Sequence, residues 1–267
     1  MANEPRARVL IVEDEPDMNN LLADVLSVYG FEPIQASSGE EALSILAQHP
    51  PDAILLDLML PGLSGLELCQ RLKTSRQTRT IPIVILTALD RGPDRHHGYE
   101  TGADDYLTKP FTPEGLVARL QSCLDACREA RLGCAHLKLS FDLDASIGDL
   151  KAVNTLATCL YCHTDFTPPQ IEALRAGLMT LSDDAGKWAA AHRGASPIRM
   201  SLELEPGRLQ LKFRGTVAEA DPFLAEHLDP EASMPAAFTD AGLIDRITRD
   251  GGEIVLEKAF APPAEAK

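Results

Sequence analysis

The stretch Leu55-Leu56-Asp57-Leu58-Met59-Leu60-Pro61 decides the fold of the first half of the chain. Its apolar residues, which begin at Ala53, predict a buried strand of a parallel sheet that ends at the Asp57 carboxylate. Three more short apolar runs end in functional groups: Glu13 and Asp14 follow residues 8–12, Thr87 follows residues 83–86, and Lys109 follows residues 105–108. In an open doubly wound α/β sheet, side chains at the carboxyl ends of the strands meet in one crevice. We therefore predict an α/β domain with a parallel sheet and one shared site.

The charges at these strand ends indicate a chemistry. Three carboxylates repel one another, and a bound cation is the usual way to keep them ionised. Glu13, Asp14 and Asp57 offer only oxygen ligands, which favours Mg2+, an ion that adds a phosphate oxygen readily. Asp57 would then be the nucleophile that attacks phosphorus, while Lys109 and the Thr87 hydroxyl would bind the remaining phosphoryl oxygens.

These residues resemble the receiver domain of bacterial two-component response regulators. The segments that carry the resemblance are Val12-Glu13-Asp14-Glu15, Asp57-Leu58-Met59-Leu60-Pro61-Gly62-Leu63-Ser64-Gly65, Leu86-Thr87-Ala88 and Gly102-Ala103-Asp104-Asp105-Tyr106-Leu107-Thr108-Lys109-Pro110-Phe111. The resemblance implies a flavodoxin-like domain of five parallel strands over residues 7–130.

The resemblance also implies a role for each residue of the site. Glu13, Asp14 and Asp57 would bind Mg2+, and Asp57 would accept a phosphoryl group from a histidine kinase or phosphotransferase. Thr87 and Tyr106 would form a switch, because Thr87 moves towards the new phosphoryl oxygens and the Tyr106 ring turns into the vacated space. The alternative for Tyr106 is a half-buried aromatic of a strand. The family further implies a cis peptide bond between Lys109 and Pro110.

Length and charge bound the rest of the chain. At 267 residues, two domains are expected. The net charge of −15 divides into 11 basic and 19 acidic residues up to residue 128, and 14 basic and 21 acidic residues after it. An acidic second domain argues against DNA binding, which needs a basic face. We find no apolar run of about 18 residues and no signal peptide, and therefore expect a cytoplasmic protein without membrane contact.

Six cysteines leave three interpretations open. The segment from Cys159 to His163 has the C-x-x-C-H spacing of a c-type haem attachment motif. Cys159, Cys162 and the group from Cys123 to Cys134 could instead form a zinc site. Buried thiols in an apolar core are the third interpretation, and they fit a reducing compartment. We favour the third, with Mg2+ as the one expected cofactor.

A helix over residues 113–131 is predicted to lead directly from the first domain to the second. Thr112 is its expected N-cap, Pro113 lies in its first turn, and Gly133 ends it. Such a helix could transmit the state of the first domain mechanically. Asp104, Asp105 and Arg119 resemble the charge pairs of receiver dimers in winged-helix transcription regulators. A homodimer is therefore one interpretation, and a solvated strand end and helix face is the other.

The second domain, residues 134–260, has a different order of elements. The pattern predicts a strand at 136–141, helices at 146–163 and 168–192, and a hairpin of residues 198–204 and 208–213. A mobile loop is expected at 218–237, a last helix at 239–249, a strand at 253–258 and a disordered tail at 261–267. This order resembles the ATP-binding fold of histidine kinases and anti-sigma-factor serine kinases, a two-layer α/β sandwich with a mixed sheet.

The nucleotide motifs of that fold are degenerate here. Thr180 and Asp184 stand where the family has its acidic residue and Asn. Residues 213–218 lack the loop that recognises adenine, and the phosphate loop is reduced to Ala241-Gly242-Leu243. We therefore expect a protein-binding or dimerisation domain with an unknown downstream protein partner and no DNA.

Two other classes of output remain open. One is a phosphorylation-controlled serine kinase of the anti-sigma type, with an altered nucleotide site. The other is a domain like a histidine phosphotransferase, which needs an exposed His in the middle of a helix. His163 and His192 lie near predicted helix ends, so a surface or core histidine is the favoured interpretation of both.

Overall fold

The structure is a computed structural model that describes residues 6–87, 101–132, 137–143, 147–192, 198–215, 222–228, 238, 242–250 and 253–260. The chain divides into two compact units, Met1–Arg128 and Glu129–Lys267. Three features considered in the sequence lie outside the described residues: the expected helix end at Gly133, the cysteine Cys134 and the expected tail at 261–267.

The N-terminal unit is a five-stranded parallel sheet in which helices follow the first, second, third and fifth strands. Its elements are β1 (Arg8–Val12), α1 (Pro16–Val28), β2 (Glu32–Ala36), α2 (Gly39–Gln48), β3 (Ala53–Asp57), α3 (Gly65–Thr74), β4 (Ile83–Thr87), β5 (Asp105–Thr108) and α4 (Pro113–Leu132). The strand order is β2-β1-β3-β4-β5, and every pairing is parallel. The predicted flavodoxin-like fold of this half is confirmed.

Burial explains why the central strands read as unbroken apolar runs. All five residues of β3 and of β4 are buried, since helices cover both faces of a parallel sheet. Among the described strands β2 forms one edge and pairs with β1 alone, and it contains Pro33 opposite Val9. The sheet therefore leaves its strand ends, and not its faces, open to a ligand.

The helix α4 begins as the sequence predicts. The Thr112 hydroxyl accepts a hydrogen bond from the Gly115 N–H at 3.1 Å, which caps one of the unpaired donors of the first turn. One face is buried in the N-terminal unit: Leu116, Leu120, Cys123, Leu124 and Cys127. The helix reaches Leu132, one residue beyond the predicted end.

The C-terminal unit packs two long helices against one face of a second five-stranded sheet. Its elements are β6 (Leu137–Leu143), α5 (Ile147–His163), α6 (Pro168–Ala191), β7 (Ile198–Glu205), β8 (Arg208–Arg214), α7 (Pro222–His227), β9 (Arg246–Asp250) and β10 (Glu253–Ala259). The strand order is β6-β7-β8-β10-β9. The two helices and the hairpin agree with the prediction, including its turn at Pro206-Gly207.

The expected mixed sheet is wrong for the strands that the structure describes. All four of their pairings are antiparallel. β7 and β8 form a tight hairpin, and β9 and β10 pair in the same antiparallel sense across residues 251–252. A parallel pair would require a longer crossover than these connections provide.

Two further corrections concern the segment between β8 and β10. The predicted helix at 239–249 is wrong over its described part, because residues 242–245 are not helical and residues 246–250 form β9. Ile247 and Thr248 are β-branched, and pairing with β10 outweighs the weak helical pattern. The expected loop at 218–237 contains the helix α7, whose Phe223 and Leu224 are buried in the core.

The five described cysteines have different exposures, but none forms a disulfide. Cys69, Cys123, Cys127 and Cys159 are buried, and Cys162 is partly exposed. Among the described residues, Cys, His, Asp and Glu come together in a group fit for a metal ion only at Glu13, Asp14 and Asp57. The burial of Cys69, Cys123, Cys127 and Cys159 agrees with the core-thiol interpretation at these four positions.

None of the described helices combines the length and the apolar character needed to cross a membrane.

The outer face of the C-terminal sheet carries cross-strand ion pairs. Glu203 on β7 lies opposite Lys138 on β6, at 2.6 Å, and also pairs with Lys212 on β8. The hydrogen bonds from Lys138 and Lys212 lower the pKa of Glu203 to about 2. A carboxyl whose pKa is lower in the folded state stabilises the fold at higher pH.

Glu203→Gln is expected to destabilise the C-terminal unit in a pH-dependent way. At pH 7 the loss should be about 1 kcal/mol, because partly solvated ion pairs are weak. The difference from the natural protein should shrink as the pH falls from 4.5, the usual pKa of the group, towards about 2. Denaturation followed by the fluorescence of Trp188, the single tryptophan, measures this unit. A difference that is independent of pH would contradict the expectation.

Candidate functional site

Four strand ends meet at one edge of the parallel sheet. Val12 lies opposite Leu56, so the next residues, Glu13 and Asp57, lie side by side. Asp57 lies opposite Leu86, which places Thr87 one residue further along the neighbouring strand. Thr87 lies opposite Thr108, and Lys109 follows it. The register thus brings the sequence-predicted residues to one place although about 100 positions separate them.

The Lys109 ammonium group bridges two of the carboxylates. Its Nζ donates to Asp57 Oδ2 at 2.6 Å and to Glu13 Oε2 at 2.8 Å. Both carboxylates are almost fully buried, whereas the lysine side chain is 20% exposed. Charge-assisted hydrogen bonds of this kind fix the lysine between two acids that would otherwise repel one another.

The three predicted ligands form a group that could hold a metal ion. Glu13, Asp14 and Asp57 each offer a carboxylate oxygen, and these oxygens lie within 4.8 Å of one another. Glu13 and Asp57 are buried, while Asp14 is exposed. An all-oxygen set with one open side fits a hard cation that keeps part of its water shell, as Mg2+ does.

The pKa values of these groups follow from burial and from Lys109. Burial raises the pKa of Glu13 above its usual value, and the nearby Asp57 charge also raises it. For Asp57, burial acts upwards, but the hydrogen bonds from Lys109 and from the Met59 N–H outweigh it and lower the pKa. Burial lowers the pKa of Lys109, and the bonds to Asp57 and Glu13 more than compensate. Asp57 is therefore ionised and Lys109 protonated near pH 7.

Two features of the loop after β3 were not predicted as parts of the site. The Met59 N–H donates to Asp57 Oδ1 at 3.1 Å, so both oxygens of this carboxylate accept a hydrogen bond. Gly65 begins α3 directly against the strand end, where a Cβ would lie 2.1 Å from the Asp57 carbonyl oxygen. Gly65 belongs to the quoted motif, and its spacing from Asp57 was the available signal.

The predicted switch residues lie on β4, the strand next to Asp57, and on β5, the strand beyond it. Thr87 ends β4 and is buried, and its carbonyl oxygen accepts the Lys109 N–H at 2.7 Å. Tyr106 on β5 is also buried, at 4% exposure, so its ring lies inward in this structure. The Lys109-Pro110 peptide bond is cis.

The charges expected at a dimer surface pair within the N-terminal unit. Asp104 accepts the Lys73 ammonium at 2.6 Å and the Ile83 N–H at 2.8 Å. Arg119 donates to the buried Asp105 at 3.2 Å. These intramolecular pairs account for the three residues, and the homodimer remains a proposal.

The residues considered for nucleotide or phosphotransfer chemistry in the C-terminal unit are Thr180, Asp184, His163 and His192. Thr180 is exposed, and its hydroxyl donates to the Ala176 carbonyl of its own helix. Asp184 is partly exposed. His163 ends α5, and His192 follows α6 with its Nδ1 on the Trp188 carbonyl at 2.9 Å. Neither histidine lies in the middle of a helix.

Comparison with known families identifies the N-terminal half. The model of the "Response regulator receiver domain" matches residues 9–121. The phosphate regulon transcriptional regulatory protein PhoB of Escherichia coli (strain K12) is 47% identical over 117 residues, which are 44% of this chain and 51% of PhoB. The transcriptional regulatory protein BaeR of Escherichia coli O6:H1 is 46% identical over 129 residues, 48% of this chain and 52% of BaeR. The chain thus spans about half the length of these relatives.

A solved structure also matches part of the chain. A putative response regulator from Chloroflexus aurantiacus J-10-fl is 40% identical, with a TM-score of 0.44. The match covers 45% of this chain and 99% of that protein.

Replacing Lys109 by Met should strengthen binding of Mg2+ to the three carboxylates. The substitution removes a competing positive charge, so affinity should rise by about 10-fold, or about 1.4 kcal/mol. Calorimetric titration of the full chain measures the change. Arg71→Met removes a positive charge from the exposed part of α3 and should leave the affinity unchanged. Weaker or equal binding by Lys109→Met would show that the ammonium group does not compete with the ion.

Proposed function

Residues 9–121 form a response regulator receiver domain, and we propose that this domain accepts a phosphoryl group on Asp57 from a histidine kinase or phosphotransferase. The observation that carries the proposal is the Lys109 ammonium group held between Asp57 and Glu13 at the shared strand ends. This arrangement gives a carboxylate nucleophile that stays ionised although it is buried.

The transfer step is a displacement at phosphorus. A carboxylate oxygen of Asp57 forms a P–O bond while the bond between phosphorus and the donor nitrogen or oxygen breaks, and the donor keeps that electron pair. Lys109 compensates charge at the oxygens, and the Met59 N–H orients the carboxylate. The Thr87 hydroxyl, at the end of the adjacent strand, would bind a phosphoryl oxygen.

The acidic group formed by Glu13, Asp14 and Asp57 is proposed as the Mg2+ site. The donor set fits this ion because all three ligands are carboxylates and one of them is exposed. When bound, Mg2+ would neutralise charge on the transferring phosphoryl group. Glu13 would hold the ion from inside the crevice, and Asp14 from its open side.

Phosphorylation would be reported through Thr87 and Tyr106. The added group carries a charge of about −1.5 to −2, and Thr87 would move to bind it. The buried position of Tyr106 supports the inward state of the ring as one end of this movement. The ring is on β5, which leads through Lys109 to α4, so a packing change there reaches the start of that helix.

For output we propose a protein-interaction or dimerisation role of the C-terminal unit, without DNA contact. Its outer sheet face has five basic residues that pair with acidic neighbours: Lys138 and Lys212 with Glu203, Arg199 with Asp142, Arg208 with Glu257, and Arg214 with Glu253. Each of these cations would have to give up its acidic partner before it could neutralise a phosphate, which reduces the gain from counterion release. This supports the acidic composition as an argument against DNA binding.

The runner-up output is transcriptional control, because PhoB and BaeR are named transcriptional regulatory proteins. The matched part is about half of each relative, and it is the receiver domain that the family model covers. The antiparallel sheet and its paired charges favour a different output for this chain. Salt-dependent binding of the full chain to duplex DNA would reverse that preference.

A serine kinase activity is the second alternative, and side-chain packing speaks against it. The segment after β8 contributes Phe223, Leu224, Leu228, Phe238 and Leu243 to the apolar core that includes α6. Large apolar side chains at this place support a filled interior. This packing and the missing adenine and phosphate motifs both argue against a nucleotide site. Calorimetry with Mg-ATP separates the classes, since affinity tighter than about 100 μM, near −5.5 kcal/mol, would favour the kinase.

Incubation with Mg2+ and a small acyl phosphate should attach one hydroxylamine-labile phosphoryl group to the protein. Asp57→Asn should abolish the label, because the amide is no nucleophile, and a chelator should suppress it. Asp52→Asn, on an exposed carboxylate outside the site, is the control and should keep the label. Labelling that survives in Asp57→Asn would refute the assignment of the acceptor.

Phosphorylation should change the self-association or partner capture of the full chain. Light scattering and pull-down are compared with and without the acyl phosphate, in the natural protein, in Asp57→Asn and in Tyr106→Ala. A shift from 1:99 to 99:1 needs about 5.5 kcal/mol of differential stabilisation, so a weaker coupling gives a graded response. Identical behaviour of all samples would mean that the two domains are merely tethered.

A further inference from the structure

Asn19 on α1 is a buried amide directly behind the acidic residues of the site. Its side chain is 6% exposed, and its Nδ2 donates to the Glu13 carbonyl oxygen at 2.8 Å and to the Ala36 carbonyl oxygen at 3.0 Å. The two carbonyl acceptors fix the orientation of the amide. If the amide were flipped, Asn19 Oδ1 would take the position of Nδ2 and face two other oxygens.

Hydrogen bonds hold both backbone polar groups of Glu13, its N–H and its carbonyl oxygen. The Ala36 carbonyl also accepts the Glu13 N–H at 3.2 Å, while Asn19 binds the Glu13 carbonyl. The Asn19 N–H in turn donates to the Glu15 carbonyl at 2.9 Å. Asn19 thereby joins the end of β1, the end of β2 and the first turn of α1, between which Glu13 and Asp14 must point into the crevice.

One half of the Asn19 amide, its oxygen, opposes fold stability. Asn19 Oδ1 is buried and accepts no hydrogen bond from the described residues. An unsatisfied buried acceptor destabilises a fold, and leucine has nearly the same shape without that penalty. What leucine cannot do is donate to the two carbonyl oxygens.

We propose that Asn19 is a positioning residue that fixes the backbone of Glu13 and Asp14 so that both carboxylates bind Mg2+. The inference rests on the proposed function of this site. It assigns to Asn19 the part that hydrogen-bonded neighbours of metal ligands generally play, which is to orient the ligands before the ion arrives. Asn19 touches neither the ion nor the phosphoryl group.

The experiment compares Asn19→Leu with Asn20→Leu in the full chain. Asn20 is the next residue of the same helix and also reaches β2, since its Oδ1 accepts Gln35 Nε2 at 3.1 Å, but it is exposed and makes none of the contacts to Glu13. Calorimetry measures the Mg2+ dissociation constant, and acyl phosphate labelling is followed as a function of Mg2+ concentration. Circular dichroism checks that both variants are folded, and Asn19→Ala replaces Asn19→Leu if the leucine is not accommodated.

Asn19→Leu should raise the Mg2+ dissociation constant by about 10-fold, whereas Asn20→Leu should leave it unchanged. Labelling of Asn19→Leu should recover at saturating Mg2+, because Asp57 and Lys109 are intact. An unchanged dissociation constant for folded Asn19→Leu, or a labelling defect that saturating Mg2+ does not restore, overturns the inference. Failure of the proposed function is distinct, because the natural protein would then take no label on Asp57, while the Mg2+ comparison would still decide the role of Asn19.

Discussion

The N-terminal site depends on one interaction, the contact of the Lys109 ammonium group with two buried carboxylates. Asp57 and Glu13 lie beside each other because the parallel register of β1 and β3 puts them there. Two like charges about 4 Å apart repel by about 4 kcal/mol at the effective dielectric of a protein surface. Lys109 directly follows the carboxyl end of β5, and it offsets this repulsion because its ammonium group contacts both acids. The charge balance of the site therefore depends on the strand order of the sheet.

The same interaction would let the site respond to a divalent cation or a phosphoryl group. A buried pair of opposite charges contributes little net stability, because desolvation consumes most of the attraction. The arrangement can therefore exchange partners at modest cost when a divalent cation or a phosphoryl group enters. Burial raises the pKa of Glu13, and an additional cation next to this carboxylate would oppose that effect.

The sequence was sufficient to predict the parallel sheet and the residues that its strand ends bring together. The buried strands are short apolar runs with a functional group directly after them, and both signals are local. Asn19 and the Met59 N–H could not be predicted, because their roles depend on backbone oxygens and on a loop conformation that the residue types do not specify. The apolar pattern predicted four of the five strands of the receiver domain, and the fifth was implied only by the family resemblance.

The C-terminal unit shows where local patterns fail. Its alternating hairpin was predictable because apolar and polar residues point to opposite faces of a half-buried sheet. Residues 246–249 were predicted as helix, but their conformation depends on the partner strand β10. Phe223 and Leu224 similarly belong to the core only because the sheet and α6 provide a surface for them.

Pro33 affects how the edge strand β2 can pair with a strand of another molecule. The Glu32 N–H points inward to the Ala7 carbonyl at 2.9 Å, so the next backbone nitrogen along β2, that of Pro33, faces the open edge. A proline nitrogen carries no hydrogen, and a strand from another molecule would find one donor missing there. Pro33 thus makes the β2 edge a poorer template for a strand of another molecule than an edge with every backbone donor present.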